Sequence, residues 1–231
     1  MLIEILYLSL TASCSRISDK ENLSLKKSCG VRTLGSSKSF KIFGGETIKP
    51  NEYPWMVHLK IARNDFGKRA TTYCSGSLIS SRHILTAAHC VMNVDKKRLS
   101  TDCIPRFKTD KVKPQDVSAY LKNDVTNKEA APICLPSADL ALAKEVQVAG
   151  SGTSESGEDV FKVATLKFVE EGKDRVTIRG KSKGTSGCDG DSGGPLFQLD
   201  KNSKYAVVGV YSGDNVKAKK GCGIPGEVST T

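Results

Sequence analysis

The sequence contains few of the features that mark membrane, metal-binding or helical proteins. After its first ten residues, no run approaches the roughly 20 apolar residues that a membrane-spanning helix needs. None of its 8 cysteines has the C-x-x-C or Cys/His spacing of a zinc site. Helical periodicity is missing beyond the N-terminal residues. We therefore expect no membrane association, no metal, no cofactor and no helical bundle.

An excess of basic residues raises the question of a polyanionic partner. Lysine and arginine number 35 against 25 acidic residues, a formal net charge of +10. Basic residues concentrate at 96–98, 106–113 and 217–220, which are polar stretches bounded by turn-forming residues. Blocks of like charge in such settings are usually solvated loops. We therefore expect no nucleic-acid partner.

Short strand-like segments dominate the chain. They are β-branched or alternating in polarity and are separated by Gly, Asn, Asp and Ser clusters, which is typical of antiparallel β-structure. They lie at 55–61, 73–79, 117–121, 146–149, 163–170, 175–178 and 205–211. With 231 residues, the chain is long enough for one all-β domain.

The N-terminal residues have the pattern of a secretory signal. Residues 1–10 are largely apolar and small residues follow at 11–13, although Glu4 interrupts the run, so a misassigned start is the alternative. We expect a signal peptide at 1–15 and a secreted, extracellular protein. In that setting the cysteines favour disulfide bonds.

Ser192 lies in the string Gly-Asp-Ser-Gly-Gly-Pro at 190–195. Glycines on both sides let the backbone approach a substrate and direct amides at a developing oxyanion, although a tight turn with a solvated serine is the alternative. The nucleophile elbow of an α/β-hydrolase is excluded, because that fold needs a histidine after the serine. His58, His83 and His89 all precede Ser192.

Two motifs carry a resemblance to a known family. Leu-Thr-Ala-Ala-His-Cys at 85–90 and Gly-Asp-Ser-Gly-Gly-Pro-Leu at 190–196 resemble the chymotrypsin/trypsin family of serine proteases. The resemblance implies an all-β fold of two antiparallel six-stranded β-barrels, here with strands missing. It also implies a secreted serine endopeptidase with His89 as general base, Ser192 as nucleophile and the amides of Gly190 and Ser192 as oxyanion hole.

The family's activation site is similar to the segment at 41–45. There Ile-Phe-Gly-Gly follows Lys41. The resemblance implies a propeptide at 16–41, a protease domain at 42–231, and an ion pair between the new amino group of Ile42 and Asp191. The implied partners are protein or peptide substrates, an activating trypsin-like protease and protease inhibitors, and we expect a monomer.

Disulfide pairs and a specificity pocket also follow from the resemblance. It implies the bonds Cys74–Cys90, Cys188–Cys222 and Cys29–Cys134, leaving Cys14 and Cys103 over. The pocket would comprise Ser186, Ser212 and Gly213. A trypsin-like pocket would carry aspartate in place of Ser186, so the resemblance implies an uncharged pocket floor and a preference for apolar side chains.

The triad aspartate is open between two alignments. Asn-Asp-Val at 123–125 is similar to the family's Asn-Asp-Ile, which makes Asp124 the third catalytic residue. In the second alignment, residues 126–128 directly precede the Pro-Ile-Cys-Leu-Pro string and the aspartate segment is absent. Two further hypotheses therefore stand beside the active protease: a non-catalytic relative that binds partners, and a truncated isoform that does not fold stably.

Overall fold

A computed structural model describes most of the chain, namely residues 4–6, 17–32, 46–48, 52–65, 68–92, 111–121, 130–152, 161–167, 170–171, 176–179, 187–214 and 227–230. The strands are β1 (Glu4–Leu6), β2 (Glu46–Thr47), β3 (Met56–Asp65), β4 (Lys68–Leu78), β5 (His83–Leu85), β6 (Val117–Leu121), β7 (Glu145–Gly150), β8 (Lys162–Lys167), β9 (Glu170–Glu171), β10 (Val176–Arg179), β11 (Pro195–Leu199), β12 (Tyr205–Asp214) and β13 (Glu227–Thr230). The helices are α1 (Asp19–Ser28) and α2 (Ala88–Val91), and Pro114–Asp116 forms a 3₁₀ turn.

The strands form two sheets, as expected of an all-β fold. The first sheet has five strands in the order β1-β5-β4-β3-β6, and the second has eight in the order β2-β8-β7-β11-β12-β13-β10-β9. Neighbouring strands are antiparallel except for the parallel pair β1 and β5. This arrangement confirms the all-β fold that the resemblance implies. Strand β2, from the first half of the chain, pairs with β8 in the second sheet.

The main core lies between the two sheets. Val57, Leu59 and Ile61 alternate along β3, and all three are fully buried. Trp55 packs against Phe197 of β11 with ring centroids 5.8 Å apart. Full burial of one large apolar side chain contributes about 1.5–3 kcal/mol, so this cluster holds β3 of the first sheet to β11 of the second.

Helix α1 was not expected from the sequence, which shows no helical periodicity there. The helix has no fully buried side chain, so no apolar stripe marks it. Its signals are polar: the Ser18 hydroxyl accepts a hydrogen bond from the Glu21 amide at 3.2 Å, and Lys26 and Lys27 lie in the last turn. Among the described helices, none is long and apolar enough to cross a bilayer.

The segment that carries α1 is fixed to the body of the protein. The disulfide Cys29–Cys134 joins the end of α1 to the segment before β7. The Gly30 amide donates to the Pro132 carbonyl at 2.8 Å, and the Tyr205 amide donates to the Gly30 carbonyl at 2.9 Å. These bonds hold the segment against the start of β12 and against the stretch that precedes β7.

Candidate active site

The turn around Ser192 depends on glycine. Gly190 has φ 95° and Gly193 has φ 89°, a region that residues with a side chain rarely adopt. A Cβ on Gly193 would also collide with the Thr86 hydroxyl and the Ser75 carbonyl. The Gly193 amide donates to the Tyr211 carbonyl at 2.7 Å. Only glycine at these positions allows the backbone of the turn to approach both sheets this closely.

The Ser192 turn lies directly against the segment that carries His89. The Ser75 amide donates to the Ser192 carbonyl at 2.7 Å, and the Cys90 sulfur lies 3.6 Å from the same oxygen. Ser192 and His89 are both half-buried, and within the described residues no hydrogen bond joins their side chains. Catalytic hydrogen bonds often tighten only when substrate binds. The fold therefore brings the turn before β11, which carries Ser192, against the helix after β5, which carries His89.

Two attachments hold helix α2, which contains His89, in place. The disulfide Cys74–Cys90 ties the helix to β4. The guanidinium of Arg63 donates to the Cys90 carbonyl at 2.7 Å and also to the His89 carbonyl. Burial, and after it the positive charge of Arg63, lower the pKa of His89 below its ordinary value. Both effects favour the neutral form of the ring, which is the form in which a histidine can accept a proton.

Replacing Arg63 should shift the pH dependence of catalysis. In Arg63→Met the positive charge beside His89 is gone, so the pKa of His89 rises and the ring stays protonated up to a higher pH. The acid limb of the kcat/KM profile should then move to higher pH. Burial still lowers this pKa, so the shift is partial. Lys60→Met removes an equal charge from the exposed face of the same strand and should leave the profile in place. Equal shifts in the two variants would contradict this role of Arg63.

Asp191 is a buried carboxylate at the base of the turn, with 7% of its surface exposed. One oxygen accepts from the Gly152 amide at 2.8 Å and the other from the Cys188 amide at 2.9 Å. The carboxylate thus links the turn to the end of β7. Its implied partner, the amino group of Ile42, and the cleavage residue Lys41 lie outside the described residues.

The implied pocket segments come together in part. Gly187 packs so closely against the ring of Tyr211 that a Cβ there would collide with the phenol oxygen. Ser212 follows Tyr211 in β12 and is half-buried, and Gly213 pairs with β13. Ser186 itself lies outside the described residues. The sequence did not indicate the contact between Gly187 and Tyr211, because the two residues are distant in the chain.

Two of the three implied disulfides are present among the described residues, Cys29–Cys134 and Cys74–Cys90. Cys188 is disulfide-bonded as well, and its implied partner Cys222 lies outside the described part. The potential ligand atoms of Cys74, His89 and Cys90 lie within 4.8 Å of one another. Both sulfurs are bonded to each other, however, so neither is a thiolate that could bind a metal.

The implied triad aspartate, Asp124, is outside the described residues. The structure adds polar residues that the sequence did not single out as parts of the site: Arg63 behind His89, and a hydrogen-bonded group of Ser75, Ser151 and His58 beside Gly190. None of these residues is close in sequence to both motifs, so no local pattern indicated them.

Comparison with known proteins now gives the family. The family model described as Trypsin matches residues 42–230. The chain belongs to the trypsin family. Phenoloxidase-activating factor 3 of Holotrichia diomphalia is 29% identical over 234 residues, a match that covers 77% of this chain and 66% of that protein. Chymotrypsin-C of Rattus norvegicus is 27% identical over 224 residues, covering 80% of this chain and 82% of that protein.

A solved structure shows the same fold. The Drosophila clip serine protease Grass superposes with a TM-score of 0.54 at 22% identity, covering 92% of this chain and 75% of that one. Phenoloxidase-activating enzyme 1 of Spodoptera litura is matched over 62% of its length. This trypsin-family chain therefore spans about two thirds of the length of each phenoloxidase-activating relative.

Proposed function

We propose that this trypsin-family chain is a secreted serine endopeptidase, made as a zymogen, which hydrolyses peptide bonds through an acyl-enzyme on Ser192. One observation carries the proposal: the Ser192 carbonyl is bonded to the Ser75 amide and touches Cys90, so the nucleophile lies beside the helix of His89. The lowered pKa of His89 supports the role of this ring as general base.

The proposed reaction uses Ser192 as nucleophile, His89 as base and acid, and Asp124 as the carboxylate that orients the ring. Neutral His89 takes the proton from the Ser192 hydroxyl as its oxygen attacks the carbonyl carbon of the substrate. The negative charge that forms on the carbonyl oxygen is stabilised by the amides of Gly190 and Ser192. His89 then gives the proton to the leaving amine, and the acyl group stays on Ser192. A water molecule then attacks the acyl carbon while His89 takes one of its protons. The ester bond to Ser192 breaks, the acid leaves, and His89 gives the proton to the Ser192 oxygen. Asp124 holds the ring in the tautomer that these steps require.

Cleavage after Lys41 would be the activating step. It frees the amino group of Ile42, a cation that can pair with Asp191, the buried carboxylate of the turn. The Cys29–Cys134 bond would keep the propeptide attached afterwards. Disulfides persist in oxidising compartments, which agrees with secretion. Two relatives of this chain are named as phenoloxidase-activating proteins.

The test is labelling by a fluorophosphonate probe before and after cleavage at Lys41. The expected result is labelling only after cleavage, because the oxyanion hole forms only once Ile42 is free. Two controls accompany it. Ser192→Ala should stay unlabelled after cleavage, and Lys41→Gln should stay unlabelled when treated with the same activating protease. Strong labelling of the uncleaved chain would contradict the zymogen.

A non-catalytic role as a binding protein is the second candidate. It is favoured by the lack of a hydrogen bond between His89 and Ser192 among the described residues. A folded and cleaved protein that takes up no probe would contradict the protease proposal and favour this candidate. Folding is checked by a cooperative thermal transition.

A further inference from the structure

A chain of buried and half-buried hydrogen bonds runs from His58 to the carbonyl of Gly190. Nδ1 of His58 in β3 lies 2.9 Å from the Ser151 hydroxyl, which follows β7. That hydroxyl is 3.0 Å from the hydroxyl of Ser75 in β4, which in turn is 2.8 Å from the Gly190 carbonyl oxygen. The hydrogen-bonded chain therefore begins in the first sheet, crosses to the end of β7 in the second, returns to β4 in the first, and ends on the turn that carries Ser192.

Counting protons gives every bond in this chain a direction. A hydroxyl has one proton to donate and two lone pairs to accept with. The Ser75 proton must go to the Gly190 carbonyl, so its oxygen accepts from the Ser151 amide at 2.8 Å and from the Ser151 hydroxyl. Because the Ser151 hydroxyl donates its hydrogen bond to Ser75, the Ser151 oxygen is the acceptor in its bond with His58, and Nδ1–H of His58 is the donor. Each bond thus polarises the next in the same direction.

Ser75 also contacts the second half of the turn. Its amide donates to the carbonyl of Ser192 at 2.7 Å while its hydroxyl donates to the carbonyl of Gly190 at 2.8 Å. These are the two residues whose own amides form the oxyanion hole in the proposed mechanism. A single residue therefore holds both peptide carbonyls at the base of that hole.

We propose that Ser75, Ser151 and His58 are positioning residues that hold the carbonyls of Gly190 and Ser192, and through them the backbone that directs the amides of these two residues at the oxyanion. The inference rests on the proposed protease function. Gly190 has no side chain to restrict its rotation and holds φ 95°, so its carbonyl needs an external anchor. Ser75 and Ser151 are 0% and 1% exposed, so water cannot replace a lost hydroxyl without rearrangement.

The ring of His58 is itself held in place. It stacks on Tyr73 with centroids 5.4 Å apart and an interplanar angle of 28°. Stacking fixes the plane of the imidazole, and so the direction in which Nδ1–H points. The start of the chain is therefore as rigid as its end.

The test compares two serines of one strand in the activated protein. Ser75→Ala should lower kcat by roughly 10- to 100-fold with KM unchanged, less than the 10²–10³ that follows the loss of an oxyanion donor itself. A peptide aldehyde, whose adduct places an oxyanion in the hole, should bind more weakly by the same factor. Ser77→Ala is the matched control. Ser77 is 1% exposed, and its hydroxyl has no hydrogen-bond partner in the described structure, so kcat should not change.

A second pair of variants examines the other end of the chain. His58→Asn places an amide nitrogen where Nδ1–H lies and should retain most of kcat. His58→Phe keeps the stacking on Tyr73 but removes the donor, and should lose activity as Ser75→Ala does. This pair decides the question if Ser75→Ala fails to show a cooperative thermal transition. Equal kcat in Ser75→Ala and Ser77→Ala, or in the two His58 variants, would overturn the proposal.

A readout without catalysis separates this inference from the proposed function. In the uncleaved protein, ¹⁵N shifts of the imidazole should show His58 as the Nδ1–H tautomer, and Ser151→Ala should abolish that preference. An Nε2–H tautomer in the unsubstituted protein would refute the chain. If activated protein takes up no fluorophosphonate while His58 is the Nδ1–H tautomer, the protease proposal fails and the hydrogen-bonded chain stands.

Discussion

Ser192→Ala and His89→Ala should each lower kcat by about 10⁶-fold, and the double variant should lower it no further. The two side chains act in one step, since the serine is a poor nucleophile without a base to take its proton. Loss of either residue therefore removes the same contribution. The measurement is hydrolysis of a peptide substrate by protein cleaved after Lys41, with an apolar residue before the scissile bond.

Residual activity serves as an internal check on that result. Binding and the oxyanion hole remain in the variants, so hydrolysis should stay roughly 10³–10⁴-fold above the rate in water. Ser81→Ala, an exposed serine four residues before the motif at 85–90, is the control and should retain full activity. If the two single losses multiply in the double variant, Ser192 and His89 act independently and the mechanism is wrong.

Asp124→Asn should lower kcat by about 10⁴-fold with little change in KM. A triad carboxylate accepts from Nδ1–H of the general base and stabilises the imidazolium that forms after proton transfer. Asparagine leaves the shape but favours the wrong tautomer, so His89 can no longer accept the serine proton. The assay is the same peptide hydrolysis, and KM separates loss of chemistry from loss of binding.

The matched control for Asp124 is Asp110→Asn, an equal change of charge and shape fourteen residues earlier in the sequence. That variant should retain full activity. Equal activity in the two variants would favour the second alignment, in which residues 126–128 directly precede the Pro-Ile-Cys-Leu-Pro string. In that event another carboxylate orients His89, or none does.

The strands were predictable to the extent that their residues are β-branched and alternate. Strands β3, β6 and β12 occur close to where the sequence placed them. Strand β11 was not predicted. Both faces of this strand are buried, with four of its five residues buried, so the sequence shows no alternation of apolar and polar residues. Helix α1 was not predicted either, because it buries no side chain fully and has only capping and charge signals.

The sequence by itself determined the family, the nucleophile and base proposed for it, and the pairing of cysteines that the family implies. Short motifs around His89 and Ser192 carry this information, because the chemistry requires particular residues next to one another in the chain. The pairs Cys29–Cys134 and Cys74–Cys90 could be inferred in this way.

Only the tertiary structure decided what supports those residues. Ser75 and Gly190 are 115 residues apart in sequence, and His58 and Ser151 are 93 apart. Contacts over such distances depend on how two sheets pack, which neither periodicity nor a motif encodes. The same is true of Arg63, which reaches α2 only because β3 lies beside it. The motifs therefore fixed which residues could react, whereas the packing of the sheets fixed which side chains orient them.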